Sequence, residues 1–253
     1  MDKKHHRIVG GVAVAYSLIW GSLLVSQFYF LWETDYNLNP SRVWELLYRF
    51  TFQTSILAII WLFIYGVSRF IGREKLFGKI IGHNSVLIAI TVYTTMLFAT
   101  AVIAIGTGYR NFLESGFSIT REGFEILTYL GSPILIWSLF LLNRENTRPR
   151  HWHIAPIMIY PFLYFVLNMV VGHTVFQQVH QGSSALCPVC LLYHVPYPTY
   201  TGVFAYNAMN PAWWSSVTLF ILVTIGTAIA IGATSFGLIW LKQKQIDNEP
   251  NNS

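Results

Sequence analysis

The only two cysteines of the chain stand at Cys187 and Cys190, in the stretch SSALCPVCLLYH, with His180 and His194 on either side. Two sulfurs and two ring nitrogens form a donor set that suits zinc, and C-x2-C is the spacing of half a zinc site. The histidines flank the pair at distances that no zinc motif requires. The same residues therefore also read as a tight disulfide, or as idle thiols, in a loop. A second group lies in RFTFQTSIL, where Thr51, Gln53, Thr54 and Ser55 cluster. A threonine hydroxyl acts as a nucleophile only with a base in hydrogen-bond reach. Small hydroxyls in a membrane helix otherwise bond to preceding carbonyls or join helices. Glu122 and Glu125 open another apolar run, where they complement the positive end of a helix dipole as readily as they serve as acid and base.

The elements that must position these residues are apolar. Of 253 residues 54% are hydrophobic and 11% are charged, against roughly 25% charged in an ordinary soluble domain. Six runs approach the 20 or so residues needed to cross a hydrocarbon core: 8–32, 50–68, 86–106, 124–142, 154–171 and 217–241. The first is too long for a signal-peptide core and has no small-x-small cleavage site before Glu33. The expected fold is all-α, a polytopic bundle of six transmembrane helices forming a single domain over 1–241. The polar tail 242–253 is expected to be disordered, having nothing apolar to bury.

Orientation follows from the basic residues of the short connections. Twelve lie on one side: Lys3, Lys4, Arg7, Arg69, Arg73, Lys75, Lys79, Arg144, Arg148, Arg150, Lys242 and Lys244. Four lie on the other: Arg42, Arg49, Arg110 and Arg121. Both termini are expected in the cytoplasm. The net charge of +5 then reports topology and contact with anionic lipid rather than nucleic acid. On this arrangement His83, His151 and His153 sit at cytoplasmic helix ends, where an interfacial position suits them, and His5 and His6 belong to a basic arm. His173 ends the fifth run on the outer side, the side of Thr51, and is the candidate base. The outer side also holds CPVC, where thiols meet an oxidising environment.

The connection 173–214 carries no Lys, Arg, Asp or Glu and many aromatic rings, Tyr193, Tyr197, Tyr200, Phe204, Trp213 and Trp214 among them. A structureless loop of this length usually has a function, and such rings favour the headgroup level. Two readings fit: a lid over a lipid or lipid-like ligand at the outer mouth, or a loop resting on the membrane surface. No cofactor is expected.

Four segments taken in order, FTFQTS, TYLGSPILIWSLFLLN, HWHIAPIMIYPFLY and VPYPTYTGVFAYNAMNPAWW, resemble the bacterial six-helix relatives of the androgen-induced protein family. The resemblance covers most of the chain from about Arg49 onward. Animal members hydrolyse fatty-acid esters of hydroxy fatty acids with a membrane-embedded threonine and histidine. The resemblance implies Thr51 as the nucleophile and a bacterial cytoplasmic membrane as the location. The family's histidine falls four or five residues before a proline in the fourth helix, which here means Thr128 or Tyr129 ahead of Pro133. The chain departs from the pattern at that position, and a base for Thr51 must come from elsewhere. The segment CPVCLLY is also a little like the cysteine pair of quinone-linked disulfide oxidases, whose second pair this chain lacks.

Overall fold

A computed structural model of the chain describes residues 3–31, 50–71, 83–106, 119–143, 147–180 and 217–248. Helix α1 spans Lys3–Leu31, α2 Phe50–Ile71 and α3 Asn84–Gly106. Helix α4 is built from three consecutive pieces, Ile119–Ile126, a π-helical turn Leu127–Gly131 and Ser132–Leu142. A 3-10 turn His151–His153 leads into α5, Ile154–His180, and α6 spans Val217–Asn248. Each apolar run of the sequence falls on one of these helices, and no strand occurs among the described residues.

Among the described residues four stretches are long and apolar enough to cross a membrane: His6–Gln27, Phe50–Ile71, Gly123–Leu142 and Ile221–Asn248. Shorter apolar stretches occupy Asn84–Ala99 on α3 and His151–Leu167 on α5. Burial runs opposite to that of a soluble protein. Small hydroxyls such as Ser17, Ser55, Thr91, Thr94 and Ser132 are buried, while Leu18, Ile60, Ile134, Phe162 and Leu222 are exposed. Thr91, Thr94 and Ser132 return their hydroxyls to the carbonyls of Leu87, Ile90 and Thr128, so the buried hydroxyl costs no unmet hydrogen bond. The apolar surface faces outward, as lipid contact requires.

The described residues cluster into two compact units. The first gathers 1–27, 54–154 and 233–253, and its core holds Trp20, Leu62, Leu87, Leu97, Ile136, Phe140 and Ile239. Here α1 and α2 cross backbone against backbone. A Cβ on Gly10 would stand 2.7 Å from the Gly66 carbonyl oxygen, and one on Gly66 would stand 2.8 Å from the Gly10 oxygen. Only glycine permits so close a crossing. The second unit gathers 28–53 and 155–232, with Phe50, Phe52, Ile157, Tyr164 and Ile231 buried.

The sequence places the end of the last helix near Leu241 and a disordered tail from 242. The helix instead continues seven residues further, to Asn248. The cause is polar rather than apolar. The ammonium of Lys242 is buried and donates to the carbonyls of Phe140, at 2.9 Å, and of Asn143. Gln245 donates to the Leu141 carbonyl and Gln243 to that of Pro149, while Arg148 pairs with Asp247 at 3.2 Å. The last turn of α4 would otherwise leave its carbonyls without donors, and the continuation of α6 supplies them.

Candidate functional site

Thr51 lies in the first turn of α2, half-buried, in the second unit. The first N–H groups of a helix have no partner within it, and at this helix start the Phe50 N–H donates to the Tyr164 hydroxyl at 2.9 Å. The Tyr160 hydroxyl donates to Gln53 Oε1 at 3.2 Å. The Phe50 ring packs on both tyrosines, with centroids 5.4 Å and 5.1 Å away. These pairings, 50 with 164 and 53 with 160, run α2 and α5 antiparallel. His173 lies nine residues beyond Tyr164 on α5, about 13 Å further along the axis and past the start of α2. Its side chain, like that of His180, is outside the described residues, and so are Cys187, Cys190 and His194. Among the described residues no group of three metal-ligating side chains occurs.

The four histidines with described side chains, His6, His83, His151 and His153, all belong to the first unit. Thr51 and Arg69, the residue that His6 touches, are eighteen positions apart on one continuous helix, a length of about 27 Å.

Of the two positions at which the family resemblance calls for a histidine, Thr128 is buried and hydrogen-bonded and Tyr129 is half-buried. Thr128 is buried in the π-helical turn, and its hydroxyl oxygen accepts the Trp20 indole N–H at 2.9 Å. The turn precedes Pro133, which has no N–H and crowds the carbonyl four residues back. Widening the helix there relieves that clash. The Tyr16 hydroxyl donates to the Leu127 carbonyl at 2.9 Å, and a Cβ at Gly131 would collide with that hydroxyl. Glu125, also named from the sequence, is half-buried one residue before the end of the α-helical piece.

One feature that sequence reasoning missed is a polar knot at the opposite end of α2. Asn143, buried at the end of α4, receives Arg69 Nη2 on its Oδ1 at 2.9 Å and donates through Nδ2 to Asn84 Oδ1 at 2.9 Å. Asn84, also buried, donates to the Thr147 carbonyl at 2.7 Å. Arg69 Nη1 meets His6 Nδ1 at 2.8 Å, and the guanidinium lies 4.8 Å from the Tyr65 ring centre. Beside the knot, Ser85 Oγ is 2.5 Å from His153 Nδ1, the distance of a serine and its base. The surroundings do not suit nucleophilic catalysis. His153 Nδ1 also accepts the Arg150 N–H at 3.1 Å, so its lone pair is shared. The N–H groups at the start of α3 are likewise engaged: that of Asn84 by Thr147 Oγ1, that of Ser85 by His83 Nδ1, and those of Val86 and Leu87 by the His83 carbonyl. None is left to hold an oxyanion. The group is a helix cap. Burial, then the neighbouring His83 and then Arg150 hold the His153 ring below the ordinary histidine pKa.

Fold and burial together define a membrane protein that is helical throughout its described residues. Compared with known proteins, the chain matches no family model, no curated protein and no solved structure.

Proposed function

We propose that the chain is a multi-pass protein of the bacterial cytoplasmic membrane, with six spans and both termini cytoplasmic, and that it binds a lipid or lipid-like ligand rather than cleaving one. The observation that carries the choice is Thr128. At the two positions where the resembling hydrolases place a base, this chain has Thr128, a buried hydroxyl that accepts the Trp20 N–H, and Tyr129, and neither is a histidine. A threonine there takes no proton from Thr51. The uncharged, aromatic connection 173–214 supports a lid at the outer mouth, with rings suited to the headgroup level.

Lipid extracted from the protein purified in detergent, identified by mass spectrometry, is the direct test. A stoichiometric lipid that is lost in Trp213→Ala supports the binding reading. A parallel fluorophosphonate labelling of wild type and Thr51→Ala tests the hydrolase alternative. Label on the wild type that disappears in the variant would establish an activated Thr51 and replace the binding reading. A folded protein with neither lipid nor label would remove both.

A further inference from the structure

The stretch 147–153, between α4 and α5, is strapped along the end of α6 within the first unit. The His151 ring stacks on that of Phe236 with centroids 5.0 Å apart, the Pro149 carbonyl accepts from Gln243 Nε2 at 2.7 Å, and Arg148 pairs with Asp247 at 3.2 Å. The Thr147 carbonyl and hydroxyl accept from Asn84. Arg150 is fixed by both of its backbone groups. Its N–H donates to His153 Nδ1 at 3.1 Å, and its carbonyl accepts the His153 N–H at 3.0 Å. The backbone that carries the guanidinium is thus held before any ligand arrives.

Two exposed cations flank the strap. Arg150 and Lys244 are the sequence neighbours of the hydrogen-bonded pair Pro149 and Gln243. Among the described residues neither makes an ion pair, whereas Arg148 has Asp247. The Lys244 ammonium stands 5.1 Å from the centre of the Trp240 ring, one turn back toward the apolar body of α6. Long cationic side chains near the end of a membrane helix ordinarily reach outward to water. This one is held at the depth of an indole, the level of lipid headgroups. Beside the cations the surface turns apolar: Phe236, Trp240 and Leu241 on α6 and Trp152 on the strap are exposed.

Charge and apolar surface adjoin in a fixed order, and a partner must match both. A free anion matches the cations alone, and a lipid without net charge matches the apolar side chains alone. We propose that this face of the first unit binds one anionic glycerophospholipid, its phosphate on Arg150 and Lys244 and its acyl chains along Phe236, Trp240 and Leu241. Arginine takes phosphate oxygens through parallel N–H bonds and lysine as a point charge. The site rests on the membrane reading proposed above and is independent of the lid at the outer mouth.

Native mass spectrometry of the full-length protein in detergent, titrated with dioleoyl phosphatidylglycerol or dioleoyl phosphatidylcholine, tests the site. The first phosphatidylglycerol is expected to bind roughly tenfold more tightly than phosphatidylcholine, as two cations at one anionic headgroup imply. Arg150→Gln/Lys244→Gln is expected to bring the two lipids within about twofold of each other. Lys3→Gln/Arg7→Gln, which removes the same charge from the start of α1, is expected to keep the preference. Equal binding of the two lipids to the wild type would overturn the proposal, and so would equal loss in the two double variants, which would reduce the preference to net charge. Should the first double variant not fold, Lys244→Gln alone carries the same comparison. Glycerol phosphate at millimolar concentration is expected to leave the lipid in place; displacement would assign the cations to a soluble anion instead. Trp213→Ala, which empties the outer mouth under the binding reading, is expected to keep the phosphatidylglycerol preference, so failure of one lipid site is distinguished from failure of the other.

Discussion

Thr54 carries a buried hydroxyl that has no hydrogen-bond partner, although the buried Thr91, Thr94 and Thr128 have found theirs. An unmet buried hydroxyl costs about 1–3 kcal/mol, and valine has the same shape. Thr54→Val is expected to raise the thermal midpoint of the purified protein by a few degrees. A fall would show that the hydroxyl meets a partner in the native membrane. His153 makes the opposite kind of prediction. Its pKa is lowered from 6.5 by burial, His83 and Arg150, so the unfolded chain takes up the proton first as pH falls. Its contribution to stability is complete above about pH 6.5 and declines as pH drops toward the folded value. Melting curves between pH 8 and pH 5 are expected to show that decline, and His153→Asn is expected to flatten it. Thr51 and the hydroxyls near it were legible in the sequence, because FTFQTS concentrates them at the start of an apolar run. The partnership of Ser85 with His153 was not. The two are 68 positions apart, and a histidine beside a membrane helix reads as solvated until its neighbour is placed. The same holds for Thr128, whose partner Trp20 is 108 positions away.

Helix ends and crossings hold the first unit together, and two of them can be broken singly. At the crossing of α1 and α2 an added Cβ on Gly66 meets backbone, the Gly10 oxygen and the Val14 nitrogen, at 2.8 Å each. Backbone cannot rotate out of the way as a side chain can, so the helices must separate. Gly66→Ala is expected to cost about 1–3 kcal/mol, read as a lower thermal midpoint. Gly11→Ala, whose Cβ would meet only the Phe70 ring at 4.0 Å, is the matched control. At the end of α4, Lys242→Met removes the donor to the Phe140 and Asn143 carbonyls while keeping an apolar side chain of similar length. The loss is expected to be about 2 kcal/mol. Helix positions were legible from apolar run length, since each run falls on a helix. The extension of α6 to Asn248 was not. Lys242, Gln243 and Gln245 look like a polar tail until the carbonyls of Phe140, Asn143, Pro149 and Leu141 are seen to receive them.

At the scale of the whole molecule the exposed surface is apolar on every long helix: Ile8 and Val25 on α1, Phe63 on α2, Leu167 on α5, Ile225 and Ile229 on α6. A monomer in water does not expose apolar surface so continuously, and a bilayer covers it. The knot holds Arg69 and Lys242, two of the twelve basic residues whose place in the sequence argues for the cytoplasmic side, and under the proposed topology it lies at that face. Native cysteines make the orientation testable without new sites in the helices. Cys187 and Cys190 belong to the connection between α5 and α6, and Ser253 lies beyond α6. A membrane-impermeant maleimide applied after mild reduction to intact cells is expected to label the native pair. In a Cys187→Ser/Cys190→Ser/Ser253→Cys variant it is expected to label only after permeabilisation. Labelling in the reverse order would invert the topology.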